Sequence, residues 1–257
     1  MKEFTKISKD AIIGKNLHID PFSVIHENVI IGDNCWIGSN VTIYPGARIG
    51  SNCQIFPGAV ISAIPQDLKF NGEDTTAIIG DNVIIRECVT INRGTSYCNK
   101  TMVGDNTFLM AYSHVAHDCI IKNNVIIANG VAIAGHVEID EYAIIGGLSA
   151  IQQFTKIGKF SMISGGSLVR KDVPPYIKVA KEPLRFIGIN KIGLERNNFK
   201  KNEIDNISSI FRIIFQEGNN ISKAIEIIEK SDKKDNEKAE ILKFIKNSKI
   251  GIVKGFY

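Results

Sequence analysis

The densest run of chemically capable side chains in the chain is Ser113-His114-Val115-Ala116-His117-Asp118, and His136 follows eighteen residues after Asp118. An imidazole titrates near neutrality and can take a proton from a hydroxyl, while an adjacent carboxylate can fix its tautomer. One isolated surface His needs no function, but three of the chain's five His fall in this window. The same residue types, spaced His-x2-His with His136 beyond, also permit a zinc site.

Whether these residues meet depends on the elements that carry them. From Ile13 to Val169 every sixth residue is aliphatic, a series of 27 positions broken only by Asp67, Glu73 and Tyr97. Two residues before each step stands a small or β-branched residue, as at Cys35, Val41, Ala47, Cys53, Ala59, Ser113, Cys119, Val125 and Val131. A period of six fits neither a helix nor an ordinary strand. It fits short strands that turn a corner every hexad, the repeat of a parallel β-helix. Three hexads close a coil of 18 residues, and coils stack at about 4.8 Å. The glycines that follow many of the aliphatics (Gly14, Gly32, Gly38, Gly50) are expected where a turn needs a residue without a Cβ.

Counting by coils assembles a site. With Val115 inward, His114 and His117 should point outward, and His117, Gly135 and Gln153 fall in one column. Asp118, His136 and Phe154 form the next column. Arg93 joins the His117 column if Thr95-Ser96-Tyr97-Cys98-Asn99-Lys100 leaves the prism as one hexad. A glycine beside a base offers a backbone N–H to a developing oxyanion.

The hexads are interrupted twice, near 62–77 and at 95–100, and both times the phase survives. Asp172-Val173-Pro174-Pro175 is expected to end the repeat, since proline cannot donate to a ladder. This divides the chain into a β-helix over 1–185 and an all-α domain over 186–257. In the latter Ile204, Ile207, Phe211, Ile214 and Phe215 keep helical spacing up to Gly218, and 221–230 and 237–247 read as further amphipathic helices.

Composition sets the bounds. The chain has 257 residues, 44% hydrophobic and 23% charged, as in a globular protein. No apolar run reaches a membrane span, and the start lacks a signal-peptide core, so a cytoplasmic protein without stable membrane insertion is expected. Five cysteines without metal spacing read as reduced thiols, with Cys35 and Cys53 buried one coil apart. Residues 1–185 carry 17 basic and 17 acidic side chains, whereas 186–257 carry 14 and 10, which accounts for the net +4. Such a tail is a solvated helical face or a landing site for an acidic partner. No nucleic-acid partner is expected.

The segments IPQDLKF, IRECVTINRGT, MAYSHVAHDC, IAGHVEID, IIGG and DVPPY, in this order, resemble the UDP-N-acetylglucosamine 3-O-acyltransferase family. The resemblance spans nearly the whole chain. It implies a left-handed coil followed by a helical domain, assembled as a homotrimer with sites between subunits. It implies transfer of a 3-hydroxyacyl group from acyl carrier protein to the 3-hydroxyl of UDP-N-acetylglucosamine, the first step of lipid A biosynthesis, without metal or other cofactor. It makes His117 the general base, Asp118 its orienting partner and Gly135 the oxyanion donor. Asp67, Lys69, His114, His136 and Gln153 would hold sugar, phosphate or acyl chain, with Arg93 beside them in the column. Asn190 and Arg196 would contact the nucleotide, and Gly165 would set acyl length.

The chain departs from the family pattern at Gln152, Ile192 and Asn197, where the family often has His, Glu and Arg. Acyl length and an ester or amide product stay open. Two other enzymes share this repeat, an acetyltransferase using acetyl-CoA and a zinc-dependent β-helix carbonic anhydrase. A non-enzymatic scaffold would leave the two loops beside a His column unexplained.

Overall fold

The computed structural model describes residues 4–231 and 236–255. Each hexad contributes a strand of a few residues, such as Val24–Ile25 and Ile30–Ile31. Among the described residues these strands gather into three sheets, the faces of a triangular prism. The register advances by one coil of 18 residues, as in Val24↔Thr42 and Ile25↔Ile43. Across the first loop Ala47 pairs with Ala77, and across the second Ala77 pairs with Thr101, so twelve and six residues leave the prism without disturbing its phase.

The hexad aliphatics fill the prism. Ile37, Ile55, Ile85 and Ile127 are fully buried, and the small column at Val41, Cys53, Ala59 and Val125 closes beside them. Each such Ile stabilises the fold by about 1.5–3 kcal/mol relative to exposure. All five cysteines are free thiols, and Cys35, Cys53 and Cys119 are buried.

The three corners lie between the first and second sheets, the second and third, and the third and first. At the second corner the residue with left-handed backbone is Asn in six coils, at 16, 34, 52, 82, 106 and 124 with φ between 56° and 60°, and then Tyr142 and Phe160 at 58° and 54°. Asn tolerates that conformation because its short amide bonds locally. The glycines after the aliphatics serve a different need from the turn conformation expected of them. A Cβ on Gly32 would lie 2.7 Å from the carbonyl carbon of Gly50 in the next coil. Crowding between stacked coils, not positive φ, selects glycine there.

The double proline does not end the prism. Val173 still bridges Ile157, and Ile177–Ala180 pairs in parallel with Met162–Ile163. Pro174 and Pro175 sit on a corner between those segments, where no ladder donor is lost. Arg185–Ile189 then folds back antiparallel on Ile177–Ala180.

Four helices follow among the described residues: α1 (Lys191–Arg196), α2 (Lys201–Phe215), α3 (Ile221–Lys230) and α4 (Asn236–Lys246). The apolar stripe of α2 is buried from Ile204 to Phe215, and Gly218 turns the chain at φ +71°. Docking to the prism is aromatic. Phe186 stacks on Phe215 at 4.6 Å, and Phe199 meets Phe160 edge-on at 5.1 Å. Glu240 of α4 accepts from Tyr176 Oη and pairs with Lys159 of the second corner. No helix among the described residues is long and apolar enough to cross a membrane. Of the basic tail, Lys233 and Lys234 lie outside the described residues, as do the first three residues of the chain.

Candidate active site

Both loops and the His column share the first corner. The longer loop leaves after Val60–Ala63 of the first sheet and returns at Thr76–Ile79 of the second. The shorter one joins Thr90–Asn92 to Lys100–Val103 across the same corner. His117 and Asp118 turn that corner one coil on, and Gly135 and His136 the next.

His117 Nδ1 lies 2.8 Å from Asp118 Oδ2. The Asp118 carboxylate has no exposed surface, yet it is fully partnered. Oδ1 accepts from the amides of Thr95 (3.0 Å) and Cys98 (3.1 Å), and Oδ2 from Thr95 Oγ1 (2.6 Å). Its own N–H donates to Thr101 Oγ1 at 2.8 Å. Burial pushes the carboxyl pKa up, but the donors on Thr95, His117 and Cys98 together outweigh it and hold Asp118 below its usual value. Asp118 is therefore an anion at neutral pH. It accepts Nδ1–H of His117 and leaves Nε2 free to take a proton.

His117 lies along the corner, 7% exposed, rather than standing outward as the hexad pattern suggested. Its ring rests against the Gly135 backbone, where a Cβ would come within 2.6 Å of Cε1 and 2.7 Å of Nε2. Among the described residues the Gly135 N–H carries no hydrogen bond. The His136 ring covers His117 edge-on at 5.0 Å and stacks on Phe154 at 4.5 Å, with Tyr97 edge-on at 4.5 Å. Burial lowers the pKa of His136, with His117 adding to the effect and Asp118 and Asp67 opposing it. His114, three residues before His117 on the strand that leads into the corner, meets Thr90 Oγ1 at 2.7 Å, and burial followed by His117 keeps it neutral more readily. A cleft of about 410 Å³ extends from Tyr97, Asp118 and His136 past Phe154 to Lys249.

The remaining sequence candidates divide. Asp67 stands near enough to His136 to bias its charge, and its Oδ1 accepts from the Lys69 amide at 3.0 Å. Lys69 and Gln153 are exposed. Arg93 has the expected register, since Thr90 pairs with His114 and Ile91 with Val115. Its guanidinium nevertheless turns back to the Pro45 carbonyl (3.3 Å) and under the Phe70 ring (5.4 Å), pinning the longer loop. Asn190 caps α1 by accepting from the Gly193 amide and donates to the Phe160 carbonyl at 2.9 Å, beside the second corner. Arg196 is exposed on α1. Gly165 lies on the third corner against Gly147. Within one chain, these last three do not meet His117.

Thr95, Tyr97 and Cys98 are the contributors that coil counting passes over, because it discards 95–100 as a looped hexad. The signal was Tyr97 itself, one of the breaks in the aliphatic series. Ligand atoms of His117, Asp118 and His136 lie within 4.8 Å of one another, the spacing of a metal set. However, both oxygens of Asp118 already receive two protein donors each, which fills its acceptor sites and leaves a metal only two imidazoles.

A carboxylate-oriented imidazole lying over an open glycine amide, on the corner of a hexapeptide β-helix, defines a hexapeptide-repeat acyltransferase. Hexapeptide transferase repeats match at 10–35, 28–63 and 100–135, and the second domain of UDP-N-acetylglucosamine O-acyltransferase matches at 172–253. The acyl-[acyl-carrier-protein]–UDP-N-acetylglucosamine O-acyltransferase of Campylobacter concisus is 36% identical over 249 residues, 96% of this chain and 94% of that protein. The crystal structure of a UDP-N-acetylglucosamine acyltransferase from Bacteroides fragilis superposes with a TM-score of 0.97 at 47% identity, covering 99% of this chain and 100% of that one. An Arabidopsis UDP-N-acetylglucosamine acyltransferase superposes with a TM-score of 0.86 at 30% identity, over 99% and 100%. The chain belongs to the UDP-N-acetylglucosamine O-acyltransferase family, and its prism is the left-handed β-helix of that family.

Proposed function

We propose that the chain transfers a 3-hydroxyacyl group from acyl carrier protein to the 3-hydroxyl of UDP-N-acetylglucosamine, the first step of lipid A biosynthesis. The observation that carries this reading is the His117–Asp118 pair at 2.8 Å, with Asp118 locked in the charged state. A sugar hydroxyl is a poor nucleophile until a base removes its proton, whereas a thioester needs only support for its oxyanion. His117 Nε2 takes the hydroxyl proton as the oxygen attacks the thioester carbonyl. The Gly135 N–H receives the oxyanion. Collapse breaks the carbon–sulfur bond, and the proton on Nε2 goes to the departing carrier thiolate.

The working unit is a homotrimer. Gly165, Asn190 and Arg196 belong to the second and third corners, so a site containing them and His117 needs a neighbouring subunit. The third corner exposes Phe22, Tyr112 and Leu148, an apolar series that a neighbour would cover. In that arrangement Asp67, Lys69, His114, His136 and Gln153 hold the sugar and acyl chain, and the neighbour's Gly165 limits acyl length. The basic 186–257 segment receives the acidic carrier, in the cytoplasm where both substrates would be met.

The test is His117→Ala assayed with 3-hydroxyacyl carrier protein and UDP-N-acetylglucosamine. Turnover should fall by about 10²–10⁴, the usual worth of a positioned base, with the oligomer and its melting temperature retained. A loss smaller than tenfold in the folded protein would remove His117 from the role of base.

A further inference from the structure

We propose that Thr95 is a positioning residue for the reaction, and that the inserted hexad 95–100 acts as a clamp on Asp118. This rests on the reading of His117 as the base. The prism does not need the insertion, since the register resumes in phase after it, with Ala77 on Thr101 and Ile91 on Val115. Apart from Asn99 and Lys100, which join the ladder on Thr76, what the hexad adds gathers around Asp118. It supplies three of the four hydrogen bonds that the carboxylate accepts, from Thr95 N, Thr95 Oγ1 and Cys98 N.

Thr95 is buried, and its hydroxyl works in both directions. It donates to Asp118 Oδ2 at 2.6 Å and accepts from the Tyr97 amide at 3.2 Å. The second bond shapes the turn that brings the Cys98 amide onto Oδ1. It also places the Tyr97 ring against His136. One hydroxyl therefore fixes the carboxylate that fixes the tautomer of His117, and the wall beside it. A carboxylate without the hydroxyl shifts on its remaining partners and carries the His117 ring with it, and a misplacement of about 1 Å at a base costs about 10² in rate.

The charge consequence has a definite sign. Among the described residues the titratable groups facing His117 are Asp118 at 2.8 Å, His136 at 5.0 Å between ring centres, and His114 on the preceding strand. Each donor draws charge away from the Asp118 carboxylate. Removing the Thr95 hydroxyl leaves Asp118 a stronger acceptor toward His117, which favours the imidazolium. The acidic limb of the kcat/KM profile then moves to higher pH.

The experiment compares Thr95→Val, Thr95→Ala and Thr95→Ser as full-length enzymes. Thr95→Ala keeps the Thr95 amide donor and adds no bulk, so it serves where Val disturbs folding. Val and Ala should lower kcat at least tenfold, leave the KM for UDP-N-acetylglucosamine within about twofold, and shift the acidic limb upward. Ser should restore all three. A merely structural threonine would lower the melting temperature without moving the limb. Wild-type kcat and limb in folded Thr95→Ala, or a loss that Ser does not restore, would overturn the proposal. The His117→Ala background separates the two readings. There Thr95→Ala should add no further loss, whereas an active His117→Ala enzyme defeats the base itself and an inactive one beside a normal Thr95→Ala defeats only the clamp.

Discussion

The first and second corners of the prism are made from the same hexads and do opposite things with their turn amides. At the second corner the coils from Lys15 to Asn123 each cap the one before. Lys15 N donates to Asp33 Oδ1 (2.6 Å), Asp33 N to Ser51 Oγ (3.2 Å), Ser51 N to Asp81 Oδ1 (2.7 Å), Asp81 N to Asp105 Oδ1 (2.8 Å) and Asp105 N to Asn123 Oδ1 (2.9 Å). At the first corner the carboxylate of Asp118 is turned to an inserted loop and a histidine, and the Gly135 amide is left open. A corner whose amides are satisfied by the next coil is a fastening. A corner whose amide is left for something else is a place where a ligand can complete the hydrogen bonding.

The difference can be broken most sharply at Gly135. Gly135→Ala puts a methyl within van der Waals overlap of the His117 ring without asking for an unusual backbone angle. Turnover should fall by about 10² while the melting temperature barely moves, since a base displaced by about 1 Å loses that much. Near wild-type turnover in the folded variant would mean that the ring does not depend on the glycine.

The third corner extends the comparison. Gly165→Met should shift donor preference toward shorter 3-hydroxyacyl chains by about tenfold, the low end of what a pocket methylene is worth. The KM for UDP-N-acetylglucosamine should stay put. An unchanged chain-length profile in an active Gly165→Met enzyme would reduce Gly165 to a tight turn.

At the second corner the effect should reverse, with stability lost and activity kept. Asp81→Ala uncaps the Ser51 amide and should cost about 0.5–1.5 kcal/mol in chemical or thermal unfolding. Any comparable loss of turnover would show that the fastening corner also shapes the site. The smallest expected effect belongs to the helical region. The KM for acyl carrier protein should rise a few-fold with salt, because screening lengths are about 10 Å at 0.1 M, while the KM for the sugar nucleotide changes less. Equal responses would remove the docking role of the basic tail.

The period made the prism legible, including the survival of its phase through both loops and the meeting of His117, Gly135 and Gln153 on one corner. It did so because a coil of fixed length dictates which backbone atoms stack. It does not dictate which way a corner side chain turns. Arg93 therefore kept its register while its guanidinium went to Pro45 and Phe70, and His117 lay down where it was expected to stand. Thr95 and Cys98 escaped for a related reason, since an extruded hexad has no period to obey. The prolines misled because a missing N–H ends a strand but is harmless at a corner, where Val173 still accepts from Gly158.

The left-handed turn position has a consequence for how such a chain evolves. The second corner fills it with Asn in six coils before Tyr142 and Phe160, while the first corner goes from Asn28 to Asp118, His136 and Phe154, the last three at φ 59°, 61° and 66°. For a side chain as bulky as Phe that conformation costs about 1–2 kcal/mol, and Asn relieves most of it. Selection on thermal stability alone thus pulls the first corner toward the composition of the second. A library evolved from this chain for heat resistance, with no demand for product, should gather Asn at 136 and 154 and drift into an inert prism. The residues that resist that pull mark where a contact outweighs the strain, around His117 at the first corner and in the packing of Phe160 on Tyr142 and Phe199 at the second.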